Sequence, residues 1–161
     1  MYELIICPIK KLYMCAEDGD MSDVAVLAVS SYDINQEKLK VFDKRICLNF
    51  DDVTDVKDIS AFSKNESEQI AHFIRKLPRN LDTLFVCCDS GESRSTAMAA
   101  AIARYNNSDE MKIWLNPHYH PNPLVYKSLC DSLGVCASEK EVADKVAANQ
   151  KAFSDAINGC V

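Results

Sequence analysis

Residues 86–95 have the sequence VCCDSGESRS, and the rest of the chain is organised around this segment. An apolar run, Leu84-Phe85-Val86, leads into it, and an alanine-rich run over residues 97–103 follows it. This pattern predicts a strand that passes through a short polar loop into a helix. The backbone N–H groups of such a loop converge with the helix N-terminus, so we expect an anion-binding site here.

A cysteine and an arginine, Cys88 and Arg94, stand at the two ends of the loop with five residues between them. A loop this short curls, and its backbone N–H groups then fit an oxyanion with three free oxygens, such as a phosphate ester. The arginine adds a planar fork that holds two oxygens at once, and the glycine permits a turn that other residues resist. The predicted phosphate-binding residues are Asp89, Ser90, Gly91, Glu92, Ser93 and Arg94.

The same positive field favours the thiolate form of Cys88, as it does for cysteines at helix N-termini and beside cations in general. A thiolate in this position is poised for in-line attack on phosphorus, which is covalent catalysis. Ser95 follows the arginine and can donate a hydrogen bond to the sulfur. We therefore expect Cys88, Arg94 and Ser95 to be catalytic.

The oxygen that leaves phosphorus needs a proton, and a carboxylic acid is the usual donor. Asp51 and Asp52 follow a predicted strand. The carboxyl ends of strands in an α/β sheet gather around a binding site. From the residues alone, either aspartate reaches the loop.

The segment CDSGESRS at residues 88–95 resembles the signature H-C-x-x-G-x-x-R-S/T of the cysteine-dependent protein tyrosine phosphatases, and most closely their compact dual-specificity branch. Cys88, Gly91, Arg94 and Ser95 fall on the invariant positions of that signature. In this family an upstream strand ends with the general-acid aspartate, so the resemblance implies that Asp52 is the acid. A second similarity, to the family's P-N-x-x-x-x-x-x-L stretch, lies at residues 121–129. The resemblance covers roughly residues 41–133.

Three features depart from the family pattern. Cys87 stands where the family has histidine, and it is either a buried strand residue or a thiol that forms a disulfide with its neighbour after oxidation. The separation of Asp52 from Cys88 is long for the compact members, so Asp55 and Asp58 compete for the acid role. The loop is acidic at its variable positions, where enzymes that act on phosphoinositides tend to carry basic residues. This favours a single phosphate ester on a peptide or small molecule.

Strand and helix patterns alternate along the chain, which predicts an α/β fold. We expect a single domain over residues 1–161, with a central, mostly parallel, twisted sheet of four to five strands and helices on both faces, like that of the phosphotyrosine phosphatases. Residues 10–22 are polar and contain Gly19, so a loop is expected there. Capping boxes at Ser63/Glu66 and Ser138/Glu141 predict the starts of two helices. The predicted strands cover residues 2–7, 23–30, 39–42, 44–50 and 82–87.

The composition argues against several classes of function. The net charge of -6 at pH 7 disfavours nucleic-acid binding, which needs a basic face, and docking on anionic membranes. No apolar run reaches the roughly 20 residues that cross a bilayer, and the first residues lack the features of a signal peptide, so we expect a cytoplasmic monomer. The eight cysteines include no C-x-x-C pair and no Cys/His zinc pattern. We therefore expect no metal, no cofactor and no disulfide framework.

Two functions remain. The leading expectation is a phosphatase that hydrolyses phosphotyrosine, and also phosphoserine or phosphothreonine, in a phosphorylated protein, or a small phosphate monoester. The reaction would pass through a cysteinyl-phosphate intermediate. The alternative is a pseudophosphatase, a phosphate-binding module that keeps the loop but lacks a working acid. The place of the loop at residue 88 argues against the low-molecular-weight phosphatases and arsenate reductases, whose loop is N-terminal.

Overall fold

The structure, a computed structural model, describes residues 2–17 and 21–159. Within these residues lie the strands β1 (Glu3–Pro8), β2 (Val24–Ser30), β3 (Lys44–Asn49) and β4 (Thr83–Cys88). The helices are α1 (Ile9–Cys15), α2 (Lys64–Lys76), α3 (Arg94–Tyr105), α4 (Met111–Trp114), α5 (Pro123–Leu133) and α6 (Glu139–Asn158). The strands form one parallel sheet in the order β1-β4-β2-β3. This confirms the predicted α/β fold.

The two faces of the sheet carry separate apolar cores. Because successive side chains of a strand point to opposite faces, neighbouring residues of β4 enter different cores. Val86 and Cys88 belong to the larger core, which α2, α3 and α5 cover. Cys87 belongs to the smaller core on the other face, together with Leu12 of α1. Helices therefore cover both faces, as predicted.

The most buried helix is α3, as its alanine-rich sequence predicts. Every residue from Arg94 to Ala103 is buried, because small side chains allow the helix to lie close against the sheet. This helix starts directly after the loop that follows β4, which is one of the two central strands of the sheet. A central strand and a buried helix thus fix the two ends of loop 89–93.

One wrong prediction concerns residues 10–22, which are not a continuous loop. Helix α1 occupies Ile9–Cys15, and its one buried side chain is Leu12, which packs in the smaller core. Two of the polar residues that suggested a loop, Lys10 and Lys11, are solvent-exposed positions of this helix. The part of the expected loop around Gly19 lies outside the described residues.

A second wrong prediction is the edge strand at residues 39–42. This segment forms turns, with hydrogen bonds from the Leu39 N–H to the Gln36 carbonyl at 3.2 Å and from the Phe42 N–H to the Leu39 carbonyl at 3.0 Å. Leu39 and Phe42 are both fully buried in the smaller core. Leu39 and Phe42 are therefore apolar because they cover one face of the sheet, and not because they belong to a strand.

The remaining boundaries follow the sequence closely. The two predicted capping serines, Ser63 and Ser138, each accept a hydrogen bond from the backbone N–H three residues on. β2, β3 and β4 end at Ser30, Asn49 and Cys88, which places the segments that follow them at the same edge of the parallel sheet. None of the helices within residues 2–17 and 21–159 has the length and apolar character that a membrane span requires.

Candidate active site

Cys88 is the last residue of β4, and it is 1% exposed. Its Sγ accepts a hydrogen bond from the Gly91 N–H at 3.3 Å and lies 3.1 Å from the Ser95 hydroxyl oxygen. A thiolate at this position accepts hydrogen bonds from both groups, and such bonds stabilise its charge. The contact expected between Ser95 and the sulfur is therefore present.

Gly91 allows the loop to approach the end of β1. Its φ of +77° lies in the left-handed region that residues with a side chain resist. A Cβ at this position would lie 2.6 Å from the backbone nitrogen of Pro8 and 2.8 Å from the carbonyl carbon of Cys7. Glycine is required both by the backbone conformation and by this close packing, which holds the Gly91 N–H within reach of the sulfur.

The loop also carries backbone donors that the protein does not use. Within the described residues, the N–H groups of Ser90, Glu92 and Ser93 donate to no protein acceptor. Helix α3 begins at Arg94, and no side chain caps its first turn. Free N–H groups beside a helix N-terminus concentrate positive partial charge. This region of the loop can therefore bind an oxyanion.

Arg94 is 4% exposed, and most of its guanidinium donors bind protein acceptors. Nη1 donates to the Phe50 carbonyl at 2.6 Å and to the Ser31 hydroxyl at 3.1 Å. Nη2 donates to Asp89 Oδ2 at 2.6 Å. The buried Nε–H has no partner among the described residues. The arginine is thus fixed in place by the protein, with one buried donor left without a protein acceptor.

Asp89, the residue after the cysteine, is held by the end of β2. Its Oδ1 accepts a hydrogen bond from the Ser30 hydroxyl at 2.5 Å, and its Oδ2 accepts one from the Ser31 N–H at 3.1 Å. Burial raises the pKa of the Asp89 carboxyl, but the hydrogen bonds from Ser30, Ser31 and Arg94 outweigh burial and hold the pKa below its usual value. Asp89 is therefore an ionised partner of the arginine at neutral pH.

Asp52, the aspartate that the resemblance favours as the acid, contacts the loop. Its Oδ1 accepts hydrogen bonds from the Ser93 hydroxyl at 2.9 Å and from the Asn122 side-chain N–H at 2.8 Å. Its Oδ2 makes no hydrogen bond to any described residue, and the side chain is exposed to water. Asp52 is therefore held against the loop through one of its two oxygens only.

The other three candidate acids have different surroundings. Asp51 lines a cleft of about 220 Å³ beside Ser31, next to the arginine's partners and not on the loop itself. Asp55 and Asp58 each accept hydrogen bonds within their own turn, and those from the serine two residues on lower the pKa of the Asp58 carboxyl. Of the four aspartates, Asp52 is the one that the structure brings into contact with the loop.

The connection between α4 and α5 braces the loop from the other side. The His120 N–H donates to the Glu92 carbonyl at 2.9 Å, and the Asn122 N–H donates to the Ser93 carbonyl at 3.4 Å. Asn122 is 3% exposed, and its Oδ1 caps α5 by accepting from the Leu124 and Val125 N–H groups. Its one side chain therefore ties the start of α5 to Asp52. The P-N stretch signals this residue, but its contact with Asp52 was not predicted.

Cys87 does not face the site. Its Sγ lies 3.4 Å from the Sγ of Cys7, its partner across β1 and β4 in the smaller core. The Cys7 thiol and burial together raise the pKa of the Cys87 thiol well above its ordinary value. Cys88 lies in the core on the opposite face of the sheet. Of the two alternatives expected for Cys87, the structure therefore shows the neutral, buried strand residue. The thiol next to it is that of Cys7 and not that of Cys88.

Cavity size does not identify this site. A cleft of about 690 Å³ lies between α2 and α5, and no residue of loop 88–95 lines it. In the described ranges, no group of three or more His, Cys, Asp and Glu side chains is arranged to hold a metal ion. What distinguishes the loop is its concentration of donors around one buried sulfur.

A scan against protein-family models, and searches of curated proteins and of solved structures, found no match to this chain. The family resemblance of residues 88–95 therefore stays a prediction.

Proposed function

We propose that this chain is a phosphatase that hydrolyses phosphate monoesters, with phosphotyrosine in proteins as the preferred substrate and phosphoserine or phosphothreonine as further ones. The observation that carries the proposal is the arrangement around Cys88. Its sulfur accepts from the Gly91 N–H and contacts the Ser95 hydroxyl, and the loop that starts from it ends at the fixed guanidinium of Arg94. A nucleophile, an anion-binding loop and a cationic clamp are the parts that attack on a phosphate ester requires.

The reaction has two steps. The Cys88 thiolate attacks phosphorus, the ester P–O bond breaks, and Asp52 gives its proton to the leaving oxygen. A water molecule then attacks the cysteinyl phosphate and gives a proton to the Asp52 carboxylate. The S–P bond breaks, and the restored thiolate accepts a hydrogen bond from Ser95, which makes it a better leaving group.

A second candidate is the phosphate-binding module without turnover. The observation in its favour is that Asp52 already accepts two hydrogen bonds, from Ser93 and Asn122. An aspartate that serves only to brace the loop would leave the site able to bind phosphate and unable to release an alcohol.

The deciding experiment compares the wild type with Cys88→Ser on phenyl phosphate, whose leaving oxygen needs a proton, and measures binding of inorganic phosphate to both by calorimetry. We expect the wild type to turn over, and Cys88→Ser to lose on the order of a thousandfold or more of kcat, because the hydroxyl is a far weaker nucleophile. Phosphate binding is expected to persist, since the loop donors and Arg94 remain. Cys136→Ser, an exposed cysteine outside the site, is the matched control and should keep full activity.

Binding of phosphate by the wild type without turnover would establish the silent module instead. Absence of both binding and turnover would overturn both functions. A phosphotyrosine peptide and its phosphoserine counterpart, compared by kcat/KM, test the proposed substrate preference, and a preference for phosphoserine would contradict it.

A further inference from the structure

We propose that Asp89 is a positioning residue that sets the guanidinium of Arg94 for binding the phosphate group. This inference rests on the proposed function, because it assigns a role within the same site. The side chain of the residue after the nucleophile is not needed for a backbone nest, so its contacts require a separate explanation.

Some of the N–H donors of Arg94 have an acceptor in the protein, and others have none. Both N–H groups of Nη1 have acceptors, the Phe50 carbonyl and the Ser31 hydroxyl, and one N–H of Nη2 is bound by Asp89. Of the five guanidinium donors, the Nε–H and one N–H of Nη2 remain. Nε and Nη2 lie on one edge of the planar group, and a guanidinium edge of this kind matches two oxygens of a phosphate.

Asp89 is the charged member of this arrangement. The Arg94–Asp89 ion pair has side chains that are 5% and 28% exposed, so it is shielded from solvent on the arginine side. The carbonyl and the hydroxyl that bind Nη1 are neutral, and Asp89 supplies the one bond in which the acceptor is charged as well as the donor, at 2.6 Å. Without it, the guanidinium keeps only neutral acceptors, both of them on Nη1.

The end of β2 in turn fixes Asp89. The Ser30 hydroxyl donates to its Oδ1 at 2.5 Å and accepts from the Tyr32 N–H at 2.9 Å, and Ser30 is 3% exposed. The Ser31 N–H donates to Oδ2, the same oxygen that binds the arginine. The carboxylate of Asp89 thus connects the guanidinium of Arg94 to the end of β2, a central strand of the sheet.

The opposite role for Asp89 is repulsion of phosphate by its own negative charge. That role predicts tighter phosphate binding when the charge is removed, whereas positioning predicts weaker binding. The two ideas therefore give opposite signs in one experiment.

The experiment is a double-mutant cycle of Asp89→Asn and Arg94→Lys, with kcat/KM for p-nitrophenyl phosphate as the readout. Asp89→Asn alone is expected to lower kcat/KM by about ten- to a hundredfold, since misplacing a positioning group by about an ångström has effects of this size. In the Arg94→Lys background the same change should have little further effect, because the residue acts through the arginine. Asp33→Asn, an exposed carboxylate on the segment after β2, removes the same charge and should leave kcat/KM unchanged.

Ser30→Ala gives a second variant with no change of charge. It removes one hydrogen bond to Asp89, and we expect a smaller loss in the same direction that disappears in the Asp89→Asn background. Calorimetry with inorganic phosphate completes the set, and Asp89→Asn should weaken phosphate binding about tenfold.

Tighter phosphate binding by Asp89→Asn, or an equal loss of kcat/KM with and without Arg94, would overturn the positioning role. If the wild type has no turnover but Asp89→Asn and Ser30→Ala weaken its phosphate binding as expected, the proposed function fails and the positioning role stands. If the wild type turns over and Asp89→Asn matches it in kcat/KM and in phosphate binding, the function stands and the positioning role fails.

Discussion

At the scale of single residues, Asp51 and Asp52 are neighbours in the chain with different contacts. Asp52 touches Ser93 and Asn122 through one oxygen and leaves the other free. We predict that Asp52→Asn lowers kcat on the order of a hundredfold or more for phenyl phosphate, whose leaving oxygen needs a proton. The loss should be much smaller for p-nitrophenyl phosphate, because nitrophenolate leaves without one. Steady-state kcat values for both substrates at one pH measure the difference.

Asp51→Asn is the matched control, since it makes the same chemical change one position earlier. We expect it to reduce kcat for both substrates by the same modest factor. Equal losses on the two substrates for Asp52→Asn would show that Asp52 is not the acid. A loss specific to phenyl phosphate in Asp51→Asn would transfer the role to Asp51.

At the scale of elements, the sequence predicted correctly the helices and strands that local patterns determine. It did not predict those that depend on packing against distant parts of the chain. Strand β4, the loop and α3 follow from an apolar run, a polar turn and an alanine-rich run, all adjacent in the chain. Helix α1 buries a single residue, Leu12, so its sequence shows no helical periodicity. Residues 39–42 carry apolar side chains that cover a sheet face built from other segments. In both cases tertiary packing determines the local structure, and the local sequence pattern gives no sign of that packing.

The loop and the β1–α1 junction form one packed unit, and Gly91 is where they meet. We predict that Gly91→Ala destabilises the protein by at least about 2 kcal/mol, since a left-handed residue with a side chain costs about 1–2 kcal/mol and the new Cβ also collides with backbone. Gly134→Ala is a matched control, because Gly134 has a φ of +79° and a Cβ added there would meet no atom of the described residues within 4 Å beyond its chain neighbours. Urea unfolding of both variants measures the free energies of unfolding.

Gly134→Ala should cost only about 1–2 kcal/mol, the strain of the backbone conformation alone. The difference between the two variants therefore isolates the close approach of the loop to Pro8 and Cys7. Phosphate binding is expected to fall in Gly91→Ala and to persist in Gly134→Ala. Equal destabilisation by the two changes would contradict the packing argument.

At the scale of the whole molecule, the candidate site is assembled from four separate parts of the chain. The spacing of Cys88 and Arg94 was readable from the sequence because both belong to one loop. The contacts of Asp89 with Ser30 and of Asp52 with Asn122 span 59 and 70 positions. Such contacts exist only once the parallel sheet brings the ends of β2, β3 and β4 together. This is why the positions of Cys88 and Arg94 on one loop were predicted and the bracing contacts were not.

The last helix is joined to the rest of the fold by a charged cluster. Arg104 of α3 donates to Glu110 at 3.0 Å and also to Glu141 of α6. Lys145 of α6 lies 3.4 Å from Glu110 and 3.2 Å from Glu141. The Tyr126 hydroxyl, buried in α5, donates to Glu110 at 2.6 Å. Three helices and Glu110, the N-cap residue of α4, thus share one network of ion pairs and hydrogen bonds.

Glu141 makes this network sensitive to pH. The hydrogen bond from Arg104 lowers the pKa of the Glu141 carboxyl below its ordinary value of 4.5, with a further contribution from Lys145. Because the folded-state pKa is the lower one, the stabilisation is complete above about pH 4.5 and is lost as the pH falls through the folded-state pKa. Glu141 is 34% exposed, so we expect Glu141→Gln to cost only about 0.5–1 kcal/mol at pH 7.

Urea unfolding of Glu141→Gln and wild type from pH 7 to pH 3.5 tests this expectation. The gap in unfolding free energy should shrink as the pH falls below about 4.5, because the unfolded wild-type chain then binds a proton at this carboxyl more readily than the folded protein does. Glu139→Gln is the matched control in the same first turn of α6, with a side chain that is 87% exposed and an ion pair at 3.6 Å. It should change stability little at either pH, since solvent screens an exposed pair. A gap for Glu141→Gln that stays constant with pH would mean that packing of its side chain, and not its charge, holds α6 to the fold.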